Sequence, residues 1–189
     1  MSNNDTITSN LRITVHSALF TALIIIGAYI SIPIGPVPIV LSDFFVMVTG
    51  LFIGGKYGLL SVGLYLSLGA LGIPVFAGGT SGLAILFGPT GGFLFGFLFL
   101  VASIGFITYK RQSSLIRDLI AVLIGNVLLY AIGITWLKIS LDMSWTASMA
   151  AGLIPFLPGT IIKTLVVLAL GRIMVPHFKE NMAYFSIDR

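Results

Sequence analysis

A lysine inside an apolar run is the residue of this sequence with the most chemistry to offer. Lys163 stands in AAGLIPFLPGTIIKTLVVLALGRIM, where Pro155 and Pro158 break the segment and a long helix restarts near Gly159. Thr160 then falls in the first turn, and Lys163 follows one turn later on the same face. A lysine held at mid-helix in lipid costs about 2.5–3.5 kcal/mol, which makes such a residue a functional candidate. A discontinuous helix also aims its positive N-terminal end at an anionic or carbonyl group. The competing account is a side chain that snorkels to the outer interface.

Two further polar positions invite the same question. Asn126 and Tyr130, in GNVLLYAIGITWL, are one helical turn apart and share a face. They form either an interhelical hydrogen bond, worth about 0.6 kcal/mol, or the stacking and hydrogen-bonding wall of a pocket. Asp43, in VLSDFFVM, opens an apolar segment, where an acid complements the helix dipole. Its alternative is a pairing with Lys163 across the bundle.

Other chemistries lack their parts. The chain has no cysteine, and its two histidines, His16 and His177, lie at opposite ends. No catalytic set, metal site or cofactor is expected from so few groups. No GxxxxGK[ST] occurs, so ATP is not bound through a P-loop. Active transport would draw on an ion gradient or on partner subunits, and an intramembrane enzyme is disfavoured.

The elements that position these residues follow from composition. Of 189 residues, 57% are hydrophobic and 8% charged, against about 25% charged in a soluble domain. That much apolar surface calls for lipid as solvent. Pro, Gly and charged residues divide the chain into six apolar segments, roughly 13–33, 40–54, 58–72, 91–109, 115–138 and 149–175. The expected fold is all-α: one six-helix transmembrane domain, 13–175, between an N-terminal tail, 1–12, and a C-terminal tail, 176–189. No internal repeat is seen. The net charge of +4 is spread through short loops, which argues for topology and not for nucleic acid. With six helices, Arg12, Lys56, Lys110, Arg111, Arg117, Arg172, Lys179 and Arg189 share one side, and Lys138 alone takes the other. That asymmetry puts both tails in the cytoplasm of a cell membrane.

Between the third and fourth segments lies IPVFAGGTSGLAILFGPT, residues 73–90, on the outer side. Gly78, Gly79 and Gly82 permit unusual backbone angles and close approach of a ligand. The loop is too apolar for a solvated tether, so it is expected to fold back as a re-entrant or lid segment. A plain packing segment with no ligand contact is the alternative. On the first helix Ala18 and Ala22 form a small-xxx-small pair that lets another backbone approach. Gly88, Gly92 and Gly96 repeat the spacing beside the loop.

The order of PVFAGG (74–79), GPTGGFLFGF (88–97), GNVLLYAIGITWL (125–137) and LPGTIIK (157–163) resembles the BioY family, biotin-specific S components of energy-coupling-factor transporters. The resemblance runs from about Ser17 to about Arg172. It implies a six-helix fold that binds biotin near the outer face under an extracellular loop, with a transmembrane T protein and two cytoplasmic ATPases as partners. Biotin is then a transported ligand and not a cofactor. The matching positions imply a ligand site of Phe76, Gly78, Gly79, Gly88, Pro89, Thr90, Gly91, Asn126, Tyr130, Thr160 and Lys163, and a T-protein contact at Ala18 and Ala22. Two positions depart from the pattern. Thr160 stands where the family has an acid, and it cannot neutralise Lys163 or accept from two ureido N–H groups as a carboxylate would. Phe93 stands where a tyrosine is expected. An S component for a different vitamin, or a stand-alone ion-coupled carrier with Asp43 as its coupling acid, are the rival readings.

Overall fold

The structure is a computed structural model that describes the backbone of residues 3–108 and 114–184 and the side chains of 14–108 and 114–175. Lys110, Arg111 and Arg189, and the side chains of Arg12, His177 and Lys179, lie outside the described residues, as do most side chains of the two tails.

Seven α-helices and one short ribbon make up the described chain. Helix α1 spans Asn3–Tyr29 and ends before a segment rich in Pro and Gly, which cannot continue it. A two-stranded antiparallel ribbon follows, β1 (Ser31–Ile32) with β2 (Ile39–Val40), in the register Ser31 to Val40 and Ile32 to Ile39. This ribbon is the one departure from an all-α chain. The Leu41 N–H donates to the Gly27 and Ile30 carbonyls at 3.0 and 3.1 Å, which ties the ribbon to the end of α1.

Helix α2, Ser42–Ala70, is broken at Gly54, whose φ of 79° and ψ of −178° are accessible essentially to glycine alone. The break reverses the chain. A Cβ on Gly58 would lie 3.6 Å from Thr49 Cγ2, although nine residues of straight helix would separate them by about 13 Å. Residues 42–53 and 55–70 are therefore two limbs of a hairpin, the two short segments expected at 40–54 and 58–72. Exposed Lys56 sits at its apex.

Loop residues 71–82 lead through a 3-10 turn, Ala77–Gly79, to α3 (Leu83–Leu86), α4 (Gly91–Thr108) and α5 (Leu115–Ser140). Helix α6, Trp145–Gly152, is capped by Ser144, whose Oγ accepts the Ala147 N–H at 3.2 Å. A second 3-10 turn, Ile154–Phe156, leads into α7, Leu157–Tyr184. With α6 and α7 taken as one interrupted passage, as the prolines predicted, the architecture is six-helical.

Among the described residues, Ser42–Ala70, Gly91–Thr108, Leu115–Ser140 and Trp145–Val175 are long and apolar enough to cross a membrane, and Thr14–Tyr29 is a shorter apolar helix. Their outer faces are greasy: Ile116, Ile120, Leu123 and Val127 stand exposed along α5, a stripe suited to lipid. The core lies between α4, α2 and α5, with Met47, Leu100, Val101, Ile104 and Val122 buried in it. Glycines set the approach of these helices. A Cβ on Gly92 would lie 2.2 Å from Trp136 Cβ, and one on Gly96 would lie 2.7 Å from Leu129 Cδ1. Hydroxyls tie α1 to the second limb of α2: Thr21 Oγ1 lies 3.0 Å from the Ser61 carbonyl, and Ser61 Oγ lies 3.0 Å from the Ser17 carbonyl.

Candidate functional site

At one end of the bundle a cavity of about 230 Å³ opens between the hairpin, the 73–90 loop and α4. One wall is the segment after the ribbon turn, through Val37, Pro38, Val40 and Ser42. Tyr65 of the second α2 limb lines the inside, Phe76, Ala77 and Thr80 come from the loop, and Ile85 comes from α3. Helix α4 contributes Thr90, Phe93, Leu94 and Phe97. The surface is mostly apolar, and Ser42, Tyr65, Thr80 and Thr90 are the lining residues with hydroxyls. A mostly apolar enclosure with a few directed polar groups is the usual make-up of a small-molecule site.

The loop is fastened where it meets this cavity. Phe76 is buried with its ring over Gly69, where a Cβ would stand 2.0 Å from the ring edge. Its ring meets Tyr65 edge-on, centroids 5.4 Å apart at 80°. The Phe76 N–H donates to the Thr80 carbonyl at 2.9 Å, and the Gly82 N–H donates to the Gly69 carbonyl at 2.7 Å. Tyr29 donates its hydroxyl to the Pro74 carbonyl. Gly78 and Gly79 take φ of 65° and 76°, the left-handed region that suits glycine. They face Ser31 and Tyr29 and do not line the cavity.

The GPTGG block joins the loop to α4. Thr90 lines the cavity, whereas the Gly88 carbonyl accepts from Trp136 Nε1 at 2.9 Å and Pro89 is half-buried beside it. A Cβ on Gly91 would lie 1.9 Å from the Leu86 carbonyl oxygen, so that position packs against α3.

Behind the Val40–Ser42 wall lies a polar cluster that joins three helices. Lys163 of α7 donates to both carboxylate oxygens of Asp43, at 2.7 and 2.9 Å, and to the Val40 carbonyl at 2.7 Å. Both side chains of the ion pair are close to fully buried. Asp43 stands in the first turn of α2, so the dipole position and the cross-bundle pairing hold together. One turn before Lys163, Thr160 shares a hydrogen bond with the Tyr130 hydroxyl. The Tyr130 ring meets Phe93 edge-on at 6.5 Å, which connects this cluster to the cavity lining. Asn126 lies apart: its Nδ2 donates to the Val122 carbonyl at 2.9 Å and faces Met47 Sδ at 3.5 Å, while Oδ1 is buried and unpartnered. Ala18 and Ala22 stand on the exposed face of α1, with Val15, Leu19 and Ile26.

Of the residues singled out from sequence, Phe76, Thr90 and Phe93 line the cavity, and Tyr130, Thr160 and Lys163 gather behind it. Val37, Pro38, Val40, Ser42, Tyr65 and Thr80 are lining residues that sequence reasoning passed over. Tyr65 carried the same signal as Tyr130, a hydroxyl within an apolar span. Val37, Pro38 and Val40 have no chemical signature, and the hydroxyls of Ser42 and Thr80 are too common to stand out. Among the described residues no group of three or more His, Asp or Glu is placed to hold a metal.

Fold and site together define a polytopic membrane protein that encloses a small, largely apolar compartment beside a buried ion pair. The BioY family profile matches residues 1–180, and the chain belongs to that family. It is 41% identical over 160 residues to the biotin transporter BioY of Thermotoga maritima, covering 85% of this chain and 93% of that one. The biotin transporter BioY2 of Lactococcus lactis subsp. cremoris is 36% identical over 169 residues, covering 89% and 93%. The crystal structure of the S-component for biotin from an ECF-type ABC transporter superposes with a TM-score of 0.81 at 35% identity, covering 91% of this chain and 93% of that one. The family is one of transporters, and the chain is not an enzyme.

Proposed function

We propose that this chain is a high-affinity biotin-binding membrane subunit of a vitamin uptake transporter, energised by partner ATPases. The observation that carries the reading is the cavity itself, a small, mostly apolar chamber whose lining residues include four that carry hydroxyls. Biotin brings an apolar fused ring and chain, a ureido group with donors and an acceptor, and a carboxylate. Phe76, Phe93 and Phe97 suit the ring system, and the Ser42, Tyr65, Thr80 and Thr90 hydroxyls can satisfy the ureido group. In this reading Gly78, Gly79, Gly88, Pro89 and Gly91 shape the loop that covers the ligand. Tyr130, Thr160 and Lys163 support the wall from behind, and Asn126 stands deeper in the bundle beside Met47.

A T protein and two ATPases complete the transporter, because the chain has no P-loop sequence of its own. Ala18 and Ala22 meet the T protein on the exposed face of α1. The basic-residue asymmetry sets both termini in the cytoplasm, with the cavity toward the outside. A stand-alone ion-coupled carrier would want a free coupling acid within the membrane, and Asp43 already holds Lys163.

The test is a ligand panel on the purified protein. Biotin is expected to bind tightly and to be found by mass spectrometry in protein extracted from cells, while riboflavin and thiamine fail to bind. Tight binding of another vitamin with no response to biotin would overturn the assignment.

A further inference from the structure

Lys163 has no donor to spare. An ammonium carries three N–H groups, and in this structure they meet three acceptors at 2.7–2.9 Å, namely both Asp43 oxygens and the Val40 carbonyl. All three acceptors belong to one stretch of chain. Val40 is the last residue of β2, Ser42 opens α2, and both line the cavity, whereas the Asp43 carboxylate and the lysine do not. The lysine thus reaches from α7 to grip the back of a cavity wall.

Val37 and Ser42 pack that wall inward, but its backbone bonding is sparse. Its ribbon partner is two residues long, and the connecting turn holds Pro33, Gly35, Pro36 and Pro38. Proline has no N–H to give. Besides the ribbon, its backbone is anchored through the Leu41 N–H, which the Gly27 and Ile30 carbonyls at the end of α1 accept. An edge this sparsely bonded opens at low free energy unless something pins it.

We propose that Asp43, Lys163 and the Val40 carbonyl form a clamp between α2 and α7 that positions residues 37–42 as the ligand-facing wall. Asp43 is then a positioning residue for the transported molecule, acting through Val40 and Ser42 without touching the ligand. This rests on the reading of the cavity as the biotin site. The charge on Lys163 is matched within the protein, so the ligand is not required to supply a carboxylate there.

The experiment pairs two readouts on the purified protein, biotin titration and amide hydrogen exchange resolved by peptide. Asp43→Asn and Lys163→Met are each expected to weaken biotin binding at least tenfold, and the double variant to be no worse than the weaker single. Lys163→Arg keeps a cross-helix donor and is expected to stay within a few-fold of wild type. Ser61→Ala removes a hydroxyl between α1 and α2 that does not line the cavity. It is expected to lower thermal stability while leaving biotin affinity unchanged, which separates positioning from general loosening. Exchange should rise at residues 36–42 in both clamp variants and stay level in α4 and α5. That readout stands without any ligand, so a wild type that ignores biotin would defeat the functional reading and leave the clamp to be judged on exchange alone. Unchanged exchange at 36–42 in both variants overturns the clamp. So do additive losses in the double variant, which would mean that the two side chains act on the ligand separately.

Discussion

Gly105 of α4 faces the bend of α2 with no space between them: a Cβ on Gly105 would stand 2.1 Å from the Gly55 nitrogen and 2.4 Å from the Gly54 carbonyl carbon. Backbone cannot yield as a flexible side-chain end can, so Gly105→Ala must push α4 away from the hairpin. The expected cost is about 1–3 kcal/mol, the range for overpacking a dense core. Gly63 on the second limb has nothing within 4 Å of its Cβ position, and Gly63→Ala is the control. Thermal unfolding in detergent should show a marked fall for the first and no fall for the second.

Gly54→Ala probes the same bend from within. Its φ of 79° with ψ near 180° is a region that side chains reach only under strain, costing about 1–3 kcal/mol. The midpoint of thermal unfolding is expected to drop by that measure, with the helical circular dichroism spectrum retained at low temperature. An unchanged midpoint would mean that the hairpin does not depend on this conformation.

How the chain reads from sequence depends on the range of each interaction. The Gly54 break was legible because Gly54, Gly55 and Lys56 interrupt an apolar run, and local composition is what sets a bend. The β1–β2 ribbon was not, since two residues per strand give no alternating pattern and Pro33 to Pro38 read simply as loop. Helix α6 begins earlier than the expected segment at 149, and the Ser144 cap was the missed local signal. Phe76 and Thr90 were found through the glycine-rich motifs that flank them. The cavity wall at 37–42 escaped because Val, Pro and Ser take their role from position alone. The Asp43–Lys163 pair spans 120 residues. Both residues stood out individually, but their meeting is a product of tertiary packing.

Phe76 offers a test of the chamber's shape. Its ring lies on Gly69 on one side and lines the cavity on another. Gly69→Ala would lift the ring, because a Cβ there would sit 2.0 Å from it. Biotin affinity is expected to fall by about tenfold or more, equivalent to about 1.4 kcal/mol, with the protein still monodisperse. Isothermal titration on the purified variant gives the answer.

Tyr130 and Thr160 share one hydrogen bond, and a cycle of Tyr130→Phe and Thr160→Val should report it as one. Each single change is expected to cost on the order of 0.6 kcal/mol, the average for such bonds in a membrane bundle. The double change should cost little more than either alone, as seen in reversible unfolding. Fully additive losses would point to separate roles for the two hydroxyls.

Ala22 lies on the exposed face of α1, away from the cavity. Ala22→Trp is expected to leave biotin titration within about twofold of wild type and to abolish co-purification with the T protein, since close helix approach needs small side chains. Equal loss of binding by the isolated subunit would contradict that division of labour.

Orientation can be read by single-cysteine labelling, because the chain contains no cysteine. Thr80→Cys on the loop should react with a membrane-impermeant maleimide in intact cells. Lys56→Cys at the hairpin apex should react only after permeabilisation. The opposite pattern would invert the topology.

The hairpin also fixes a depth. At about 1.5 Å per residue, residues 42–53 rise only about 18 Å from the bend, whereas the hydrocarbon slab is about 30 Å thick. Ser42, at the far end of that limb, is already part of the chamber. With the bend set at the cytoplasmic face, as in the proposed orientation, the chamber lies within the oily layer, walled on that side by ribbon and loop whose amides must find partners within the protein. In that orientation a molecule seated there has about two-fifths of the slab behind it. What is left beneath it is a floor about three helical turns deep.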